Sequence, residues 1–289
     1  MMKSSTLRLF LGSIMSCLVW SLVPAAVSAQ EPGSVIAADP RVEGRSYIFE
    51  ETGIEVPYAL FAPSDYDPST PSPLIVALHG LGRPFDWMMG YHGFIDFAEA
   101  SGFIVAAPLG YHPRGWYGSR GPGIPAGATG DAGASLPSNL GELSERDVMN
   151  VLAIVRDQYN VDPDRIYLWG HSMGGAGAYH LAARFPEIWA AIAVAAPAPR
   201  AETIDDIATF RDVPTLVLHG DDDTTVPVQG SRAWVARMAE LGMQHVYIEV
   251  PGGDHSLFVR EDPAMLAKVF SFFDIVRKDQ RGSASSPDR

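Results

Sequence analysis

The chain of 289 residues has little cysteine and little positive charge. Cys17 is its single cysteine, so the mature fold has to be held by its core without disulfides. Lys and Arg number 21 against 34 Asp and Glu, a formal net charge of −13. This excess of negative charge disfavours nucleic acids and anionic membranes as partners.

Several motifs of metal and cofactor sites are absent as well. No H-E-x-x-H, paired-cysteine or EF-hand spacing accompanies the eight histidines, so we expect no metal. There is no G-x-x-x-x-G-K-[ST] phosphate loop and no dinucleotide fingerprint, so we expect no cofactor. No internal repeat and no second domain are visible.

The N-terminus has the pattern of a signal peptide. Lys3 and Arg8 begin an apolar stretch over residues 9–26, which ends in Val-Ser-Ala before Gln30. An A-x-A-like end of this kind predicts cleavage after residue 29 and a secreted or periplasmic protein without stable membrane association. Two alternatives remain open: a lipid anchor on Cys17, and an uncleaved anchor helix of about 18 residues.

The rest of the chain divides by composition. Residues 30–40 are predicted to form a polar spacer, residues 41–278 one catalytic domain, and residues 279–289 a disordered tail. Apolar runs alternate with helical patterns, which predicts an α/β fold with a mostly parallel, doubly wound sheet and helices on both faces. We predict strands at 45–50, 57–62, 74–78, 103–108, 165–169, 190–196, 214–220 and 245–250, and helices at 86–100, 143–159, 172–185, 229–241 and 263–276.

The most informative motif is Gly-His-Ser-Met-Gly at 170–174. It follows an apolar strand pattern and precedes a helix rich in small residues, which is the context of a G-x-S-x-G nucleophile elbow. Small residues on both sides of the serine let the strand and the helix approach closely. Ser172 is therefore the predicted nucleophile.

Three further segments supply the partners that such a serine requires. The strand at 74–78 ends in His-Gly-Leu-Gly, a position for an oxyanion-hole amide, so Leu81 and Met173 are the predicted backbone donors. The strand at 214–220 ends in Asp221-Asp222-Asp223, and we predict Asp223 as the triad acid. The last strand is followed by a turn that carries His255, the predicted base. The order Ser, Asp, His is that of α/β-hydrolases.

These motifs carry a resemblance to a known group. Residues 47–276 resemble secreted α/β-hydrolases of the polyhydroxybutyrate depolymerase, feruloyl esterase and prolyl-oligopeptidase-like group. The resemblance rests on the segment 161–167 that precedes G-H-S-M-G-G, on that motif, on H-G-L-G, and on H-G-x-x-D-x-x-V around Asp223. The resemblance implies a carboxylic ester hydrolase acting on small-molecule or oligomeric esters, with peptide bonds as a second possibility. It also favours Asp223 over its neighbours Asp221 and Asp222.

The other histidines are candidates for different roles. His171 adjoins the serine too closely in sequence to reach its oxygen, and His180 follows along the helix. Strand-terminal His79 and His219 are predicted to be hydrogen-bonded core residues. His92, His112 and His245 also compete with His255, which has the expected place in a loop after the last strand.

A long loop lies between the predicted strand at 103–108 and the helix at 143–159. Residues 110–141 include nine glycines and four prolines, and loops of this length in a compact domain are usually functional or disordered. We expect it to form one wall of the cleft, with Trp116 and Tyr117 offering an aromatic surface to the substrate; the alternative is a surface loop that these rings only anchor.

The predicted mechanism is acyl transfer to Ser172 with His255 as base and Asp223 as its orienting partner, followed by hydrolysis of the acyl-enzyme. An acyltransferase or a peptidase could use the same three residues. A noncatalytic binding protein that kept the fold is the alternative from another class, and labelling of Ser172 by a fluorophosphonate distinguishes it.

Overall fold

The structure is a computed structural model that describes residues 39–128 and 136–281. The predicted signal peptide, residues 30–38 of the spacer, residues 129–135 of the long loop and residues 282–289 of the tail lie outside the described residues. All described residues belong to one compact unit, Ile36–Arg289.

The centre of this unit is an eight-stranded sheet in the order β1-β2-β4-β3-β5-β6-β7-β8. Pairing is antiparallel between β1 and β2 and between β2 and β4, and parallel across the rest of the sheet. Each predicted strand overlaps an observed one, and the mostly parallel architecture is confirmed. The strands are β1 (Glu43–Phe49), β2 (Ile54–Phe61), β3 (Ser72–Leu78), β4 (Ile104–Pro108), β5 (Val161–His171), β6 (Ala191–Ala195), β7 (Thr215–Gly220) and β8 (His245–Val250).

Helices cover both faces of the sheet, because successive side chains of a buried strand point to opposite sides. In β3, Leu74 and Val76 belong to one core cluster and Ile75 and Ala77 to the other. The α-helices are α1 (Phe94–Ala100), α2 (Leu140–Gln158), α3 (Met173–Arg184), α4 (Gln229–Glu240), α5 (Leu257–Arg260) and α6 (Pro263–Ile275). Short 3₁₀ helices span Trp87–Gly90, Trp116–Gly118, Ala201–Phe210 and Lys278–Gln280.

One predicted helix is divided in the structure, and one longer 3₁₀ helix was not predicted. The predicted helix at 86–100 is divided into the Trp87–Gly90 turn and α1, because Gly93 takes a left-handed φ of 83° at the start of α1, a conformation that interrupts a helix. The Ala201–Phe210 segment was not predicted. Its apolar residues Ile204, Ile207 and Phe210 recur every three residues, which is the period of a 3₁₀ helix and not that of an α-helix.

Among residues 39–128 and 136–281, no helix combines the length and the apolar character that crossing a membrane requires.

Candidate active site

Ser172 occupies a sharp turn between the end of β5 and the start of α3. Its φ of 57° and ψ of −114° are unusual for a residue with a side chain and mark a strained backbone. A Cβ on Gly174 would collide with the carbonyl of Leu78, and a Cβ on Gly170 with the carbonyl of Gly174. The two glycines are therefore required by close packing, and the turn has the form of a nucleophile elbow.

The structure brings the three predicted triad side chains together at the carboxyl edge of the sheet. His255, in the turn after β8, places Nε2 2.9 Å from Ser172 Oγ. Its Nδ1 lies 2.7 Å from Oδ2 of Asp223, in the turn after β7. Both distances are within the range of a hydrogen bond. The arrangement allows a proton to pass from the serine hydroxyl to a ring that the carboxylate orients.

Asp223 is surrounded by hydrogen-bond donors. Its Oδ1 accepts from the amides of Thr225 (2.8 Å) and Val226 (2.9 Å), and its Oδ2 faces His219 Nε2 (3.0 Å) in addition to His255. Burial acts to raise the pKa of Asp223, but hydrogen bonds from His219, His255 and Val226 outweigh it and hold the pKa well below its ordinary value. The carboxylate therefore stays ionised throughout the neutral range.

The neighbouring carboxylates have other roles. Asp221 Oδ1 accepts from the amide of Gly252 at 2.6 Å, and the amide of Asp222 donates to the carbonyl of Gly253. Both residues are exposed. Of the three adjacent acids, Asp223 is the one whose carboxylate contacts His255.

His219 makes a contact with the triad acid that the sequence analysis missed. The ring is fully buried at the end of β7, as a core histidine was expected to be. Its Nε2 also faces the carbonyl of Val226 at 3.0 Å, and because both partners are acceptors, this nitrogen carries the hydrogen. Its Nδ1 lies 2.7 Å from Oγ of buried Ser231. The H-G-x-x-D spacing was a usable signal, since it places a strand-terminal histidine four residues before the acid.

His171 contacts the backbone of His255, the predicted base. Its Nε2 donates to the backbone carbonyl of His255 at 2.8 Å, so Nδ1 accepts from the hydroxyl of Tyr91 at 2.5 Å. The ring stacks on Trp87 with 5.3 Å between centroids. Burial, followed by the charge of His255, lowers the pKa of His171 to about 3. The histidine is therefore neutral and holds the backbone of the base in place.

The remaining histidines bind other partners. His79 contacts the carbonyls of Gly80 and Leu109, His180 contacts Glu145 at 2.5 Å, and His245 contacts the carbonyl of Met243. The amide of His92 donates to Arg260, and His112 accepts from the amide of Arg114. Across the described ranges, no group of three or more His, Cys, Asp or Glu side chains is placed to hold a metal ion.

The turn after β3 lies directly beside the serine. A Cβ built on Gly80 would be 3.7 Å from Ser172 Cβ, and Leu81 follows in the same turn. Met173 is the first residue of α3, where helical amides have no partner within the helix. In the part of the chain that the structure describes, neither the Leu81 nor the Met173 amide donates to a protein group. Their role as oxyanion donors remains a prediction that this placement favours.

The two predicted substrate-binding aromatics differ in exposure. Tyr117 is fully buried: its φ of 51° turns the ring inward against Gly110 and Gly177, beside His79. The prediction that Tyr117 offers a surface to the substrate is therefore wrong. Trp116 is half-buried, and the Arg120 guanidinium lies 3.9 Å from its ring centroid. A substrate contact of Trp116 stays a prediction.

Comparisons with known proteins agree with this architecture. The model of a family named Esterase, described as "Putative esterase", matches residues 50–269. A bifunctional acetylxylan esterase/xylanase of Neocallimastix patriciarum is 27% identical over 170 residues, which is 59% of this chain and 22% of that relative. The chain thus spans less than a quarter of that protein.

Two solved structures have the same fold. A thermostable esterase superposes with a TM-score of 0.64 at 24% identity, over 82% of this chain and 63% of that one. A ferulic acid esterase of Anaeromyces mucronatus superposes with a TM-score of 0.59 at 17% identity, over 81% of this chain and 90% of that one. These likenesses confirm the predicted α/β-hydrolase fold class.

Proposed function

Because the chain belongs to the Esterase family, we propose that it is a serine hydrolase that cleaves carboxylic esters through an acyl-enzyme on Ser172. The observation that carries this proposal is the 2.9 Å contact between His255 Nε2 and Ser172 Oγ, with Asp223 on the other side of the ring. A serine hydroxyl is a weak nucleophile at neutral pH and needs a base at this distance.

In the first step, His255 takes the hydroxyl proton while Ser172 Oγ attacks the ester carbonyl. Asp223 holds the imidazole in the tautomer with hydrogen on Nδ1 and stabilises the imidazolium that forms. The amides of Leu81 and Met173 donate to the oxyanion, a type of contact whose loss typically costs about 3 to 4 kcal/mol of barrier. His255 then returns the proton to the departing alcohol.

In the second step, water attacks the acyl-enzyme with His255 again as base. The side chain of His255 is 19% exposed and Ser172 is half-buried, so solvent can approach the acyl group. This exposure favours hydrolysis over transfer to another alcohol, which requires that water be excluded.

The direct test replaces the nucleophile. We expect Ser172→Ala to lower kcat for p-nitrophenyl acyl esters by about 10⁴- to 10⁶-fold, with an unchanged circular dichroism spectrum and melting temperature. Ser271→Ala, on the exposed face of α6, is the matched control and should keep full activity. Retention of more than a few per cent of wild-type activity by Ser172→Ala would refute the assignment.

We also propose that the protein is exported and cleaved after Ala29, on the strength of the charged start, the apolar stretch and the small residues before Gln30. The mature protein recovered from the medium or periplasm should have a mass that begins at Gln30. A mass that retains residues 1–29, or a lipid-modified Cys17, would contradict this.

A further inference from the structure

We propose that the cleft around Ser172 selects esters that carry a carboxylate group close to the scissile bond; this inference rests on the proposed esterase function. Three arginines, Arg83, Arg114 and Arg120, contact the segments that form the cleft. We refer to them as the cleft arginines. The ligand that suits them is an anion, because guanidinium groups bind carboxylates through paired, charge-assisted hydrogen bonds.

Arg114 lies against the turn that carries Leu81. Its Nη2 is 3.4 Å, and its Cζ 3.6 Å, from the position that a Cβ on Gly82 would occupy. The same contact region is fixed by a 2.8 Å hydrogen bond from the amide of Gly82 to the carbonyl of Pro113. A positive charge therefore lies one residue from a predicted oxyanion donor.

Arg83 belongs to the same turn, since its amide donates to the carbonyl of Gly80. Its Cζ is 5.2 Å from the ring centroid of Trp87, the ring that stacks on His171 next to the serine. Its charge is close enough to contribute to lowering the pKa of His171, although burial is the main cause.

Arg120 is linked to the backbone of Ser172 through Ala198, in the segment after β6. Its Nη2 donates to the carbonyl of Ala198 at 3.1 Å, and the amide of Ala198 donates to the backbone carbonyl of Ser172. Within the described ranges its other side-chain N–H groups form no hydrogen bond, and none of them is fully buried. Burial, and then the nearby charge of Arg200, lower the pKa of Arg120 below its usual range, although the charge of Glu202 acts to raise it.

The sheet order explains why these charges lie on both sides of the nucleophile. Strand β5 carries Ser172 and lies between β3 and β6. Arg83 and Arg114 contact the turn after β3, whereas Arg120 contacts the segment after β6. A carboxylate on either the acyl or the alcohol part of an ester would therefore meet a guanidinium.

Within the described ranges, the cleft arginines form no ion pair, although the protein is rich in acids. Most arginines of the described ranges form an ion pair, as Arg232 does with Glu249 and Arg200 with Glu202. No carboxylate of those ranges lies within 4.0 Å of a cleft arginine.

The acids near the site do not neutralise the cleft arginines. Asp223 is already bound by four donors, and the charge of Asp86 acts near His79. Glu202, whose charge acts on Arg120, is already paired with Arg200. The negative charge of the whole protein is screened beyond about 8 to 10 Å at physiological ionic strength. The local guanidinium groups therefore dominate the potential felt by a bound ester.

The test compares near-isosteric esters that differ in charge. On the alcohol side these are 4-acetoxybenzoate and 4-acetoxybenzamide, and on the acyl side monomethyl glutarate and methyl 4-carbamoylbutanoate. Each kcat/KM is divided by the rate constant for hydrolysis by hydroxide, which removes differences in intrinsic reactivity. We expect the anionic member of at least one pair to be preferred by about fivefold or more at about 0.1 M ionic strength, where the charge of the rest of the protein is screened beyond about 10 Å.

Substitutions then show which arginine is responsible for the preference for the anionic ester. Of Arg114→Gln and Arg120→Gln, the variant on the side where the carboxylate of the preferred pair binds should lower its anionic-to-neutral ratio by about three- to tenfold. Arg156→Gln is the matched control: Arg156 is exposed and without an ion pair, near the end of α2 that leads to the start of β5, at the opposite edge of the sheet from Ser172. It should leave the ratio unchanged. In the wild type, 0.5 M NaCl should reduce the ratio towards one.

Ratios of one or below in both pairs would overturn the inference, as would a preferred ratio that neither Arg114→Gln nor Arg120→Gln lowers more than Arg156→Gln does. Hydrolysis of p-nitrophenyl acetate without hydrolysis of either anionic ester counts against it too. These results are distinct from failure of the esterase proposal, which would appear as no Ser172-dependent hydrolysis of p-nitrophenyl acetate.

Discussion

His219 offers the sharpest test of how the acid of the site is positioned. Its Nε2–H is shared between Asp223 Oδ2 and the carbonyl of Val226, both at 3.0 Å. In His219→Asn the shorter amide can still reach Ser231, but it cannot reach Asp223. In His219→Gln the amide extends to the place of Nε2 and can restore the donor. The two variants therefore separate the contact with Asp223 from the packing of the side chain.

The expected effect follows from the strength of that contact. A hydrogen bond to a charged group contributes about 1.5 to 3 kcal/mol, and sharing with Val226 reduces this to roughly 1 to 2 kcal/mol for Asp223. If this loss of hydrogen-bond energy raises the free energy of the transition state by the same amount, His219→Asn lowers kcat/KM by about five- to thirtyfold. His219→Gln should recover most of the loss.

The assay is the pH profile of kcat/KM with a p-nitrophenyl ester, measured beside the melting temperature. Loss of one donor leaves more negative charge on Asp223 facing His255, which favours the imidazolium. The acid limb of the profile should therefore move to higher pH in His219→Asn and return in His219→Gln. Equal losses in both variants without movement of the limb would show that His219 serves packing alone, and unchanged kinetics would show no role.

Three further variants test other parts of the account. Asp223→Asn should lower kcat by about 10⁴-fold in steady-state assays, because an amide favours the wrong imidazole tautomer; a loss below tenfold would exclude this acid. Gly174→Ala should fail to fold or melt far lower, because its Cβ meets the carbonyl of Leu78; a melting temperature near that of the wild type would contradict the elbow packing. Burial raises the pKa of Asp147 to about 6, so the wild type should lose about 2 to 3 kcal/mol of unfolding free energy relative to Asp147→Asn as the pH rises from about 4 to above 6. Urea titrations at pH 4 and pH 7 measure this, and an opposite trend would refute it.

The strands and the convergence of Ser172, Asp223 and His255 could be predicted because their signals are local. A buried strand is a short apolar run, and the residues that follow it in a parallel sheet collect at one edge. Ser172, Asp223 and His255 each follow such a run, so their convergence follows from the sheet itself. Choosing Asp223 among three adjacent acids depended on family resemblance.

The features that were missed depend on contacts between distant segments. The sequence places Tyr117 in a glycine-rich loop, which suggests an exposed ring. In the structure, Gly110 and Gly177 leave the space that its ring occupies. The link from His219 to the acid depends on how the turn after β7 folds back on the strand. Unpaired arginines cannot be recognised from the sequence, because pairing is a property of the folded surface.

We propose above that Ser172 is the nucleophile of an esterase. The most direct test of this proposal is titration of the protein with a fluorophosphonate, followed by peptide mass spectrometry and assay of the remaining hydrolysis of p-nitrophenyl acetate. We expect one adduct per chain, located on the peptide that contains Ser172, with activity lost in proportion to labelling. Loss of activity with the adduct on another residue, or full labelling of Ser172 with activity intact, would contradict it.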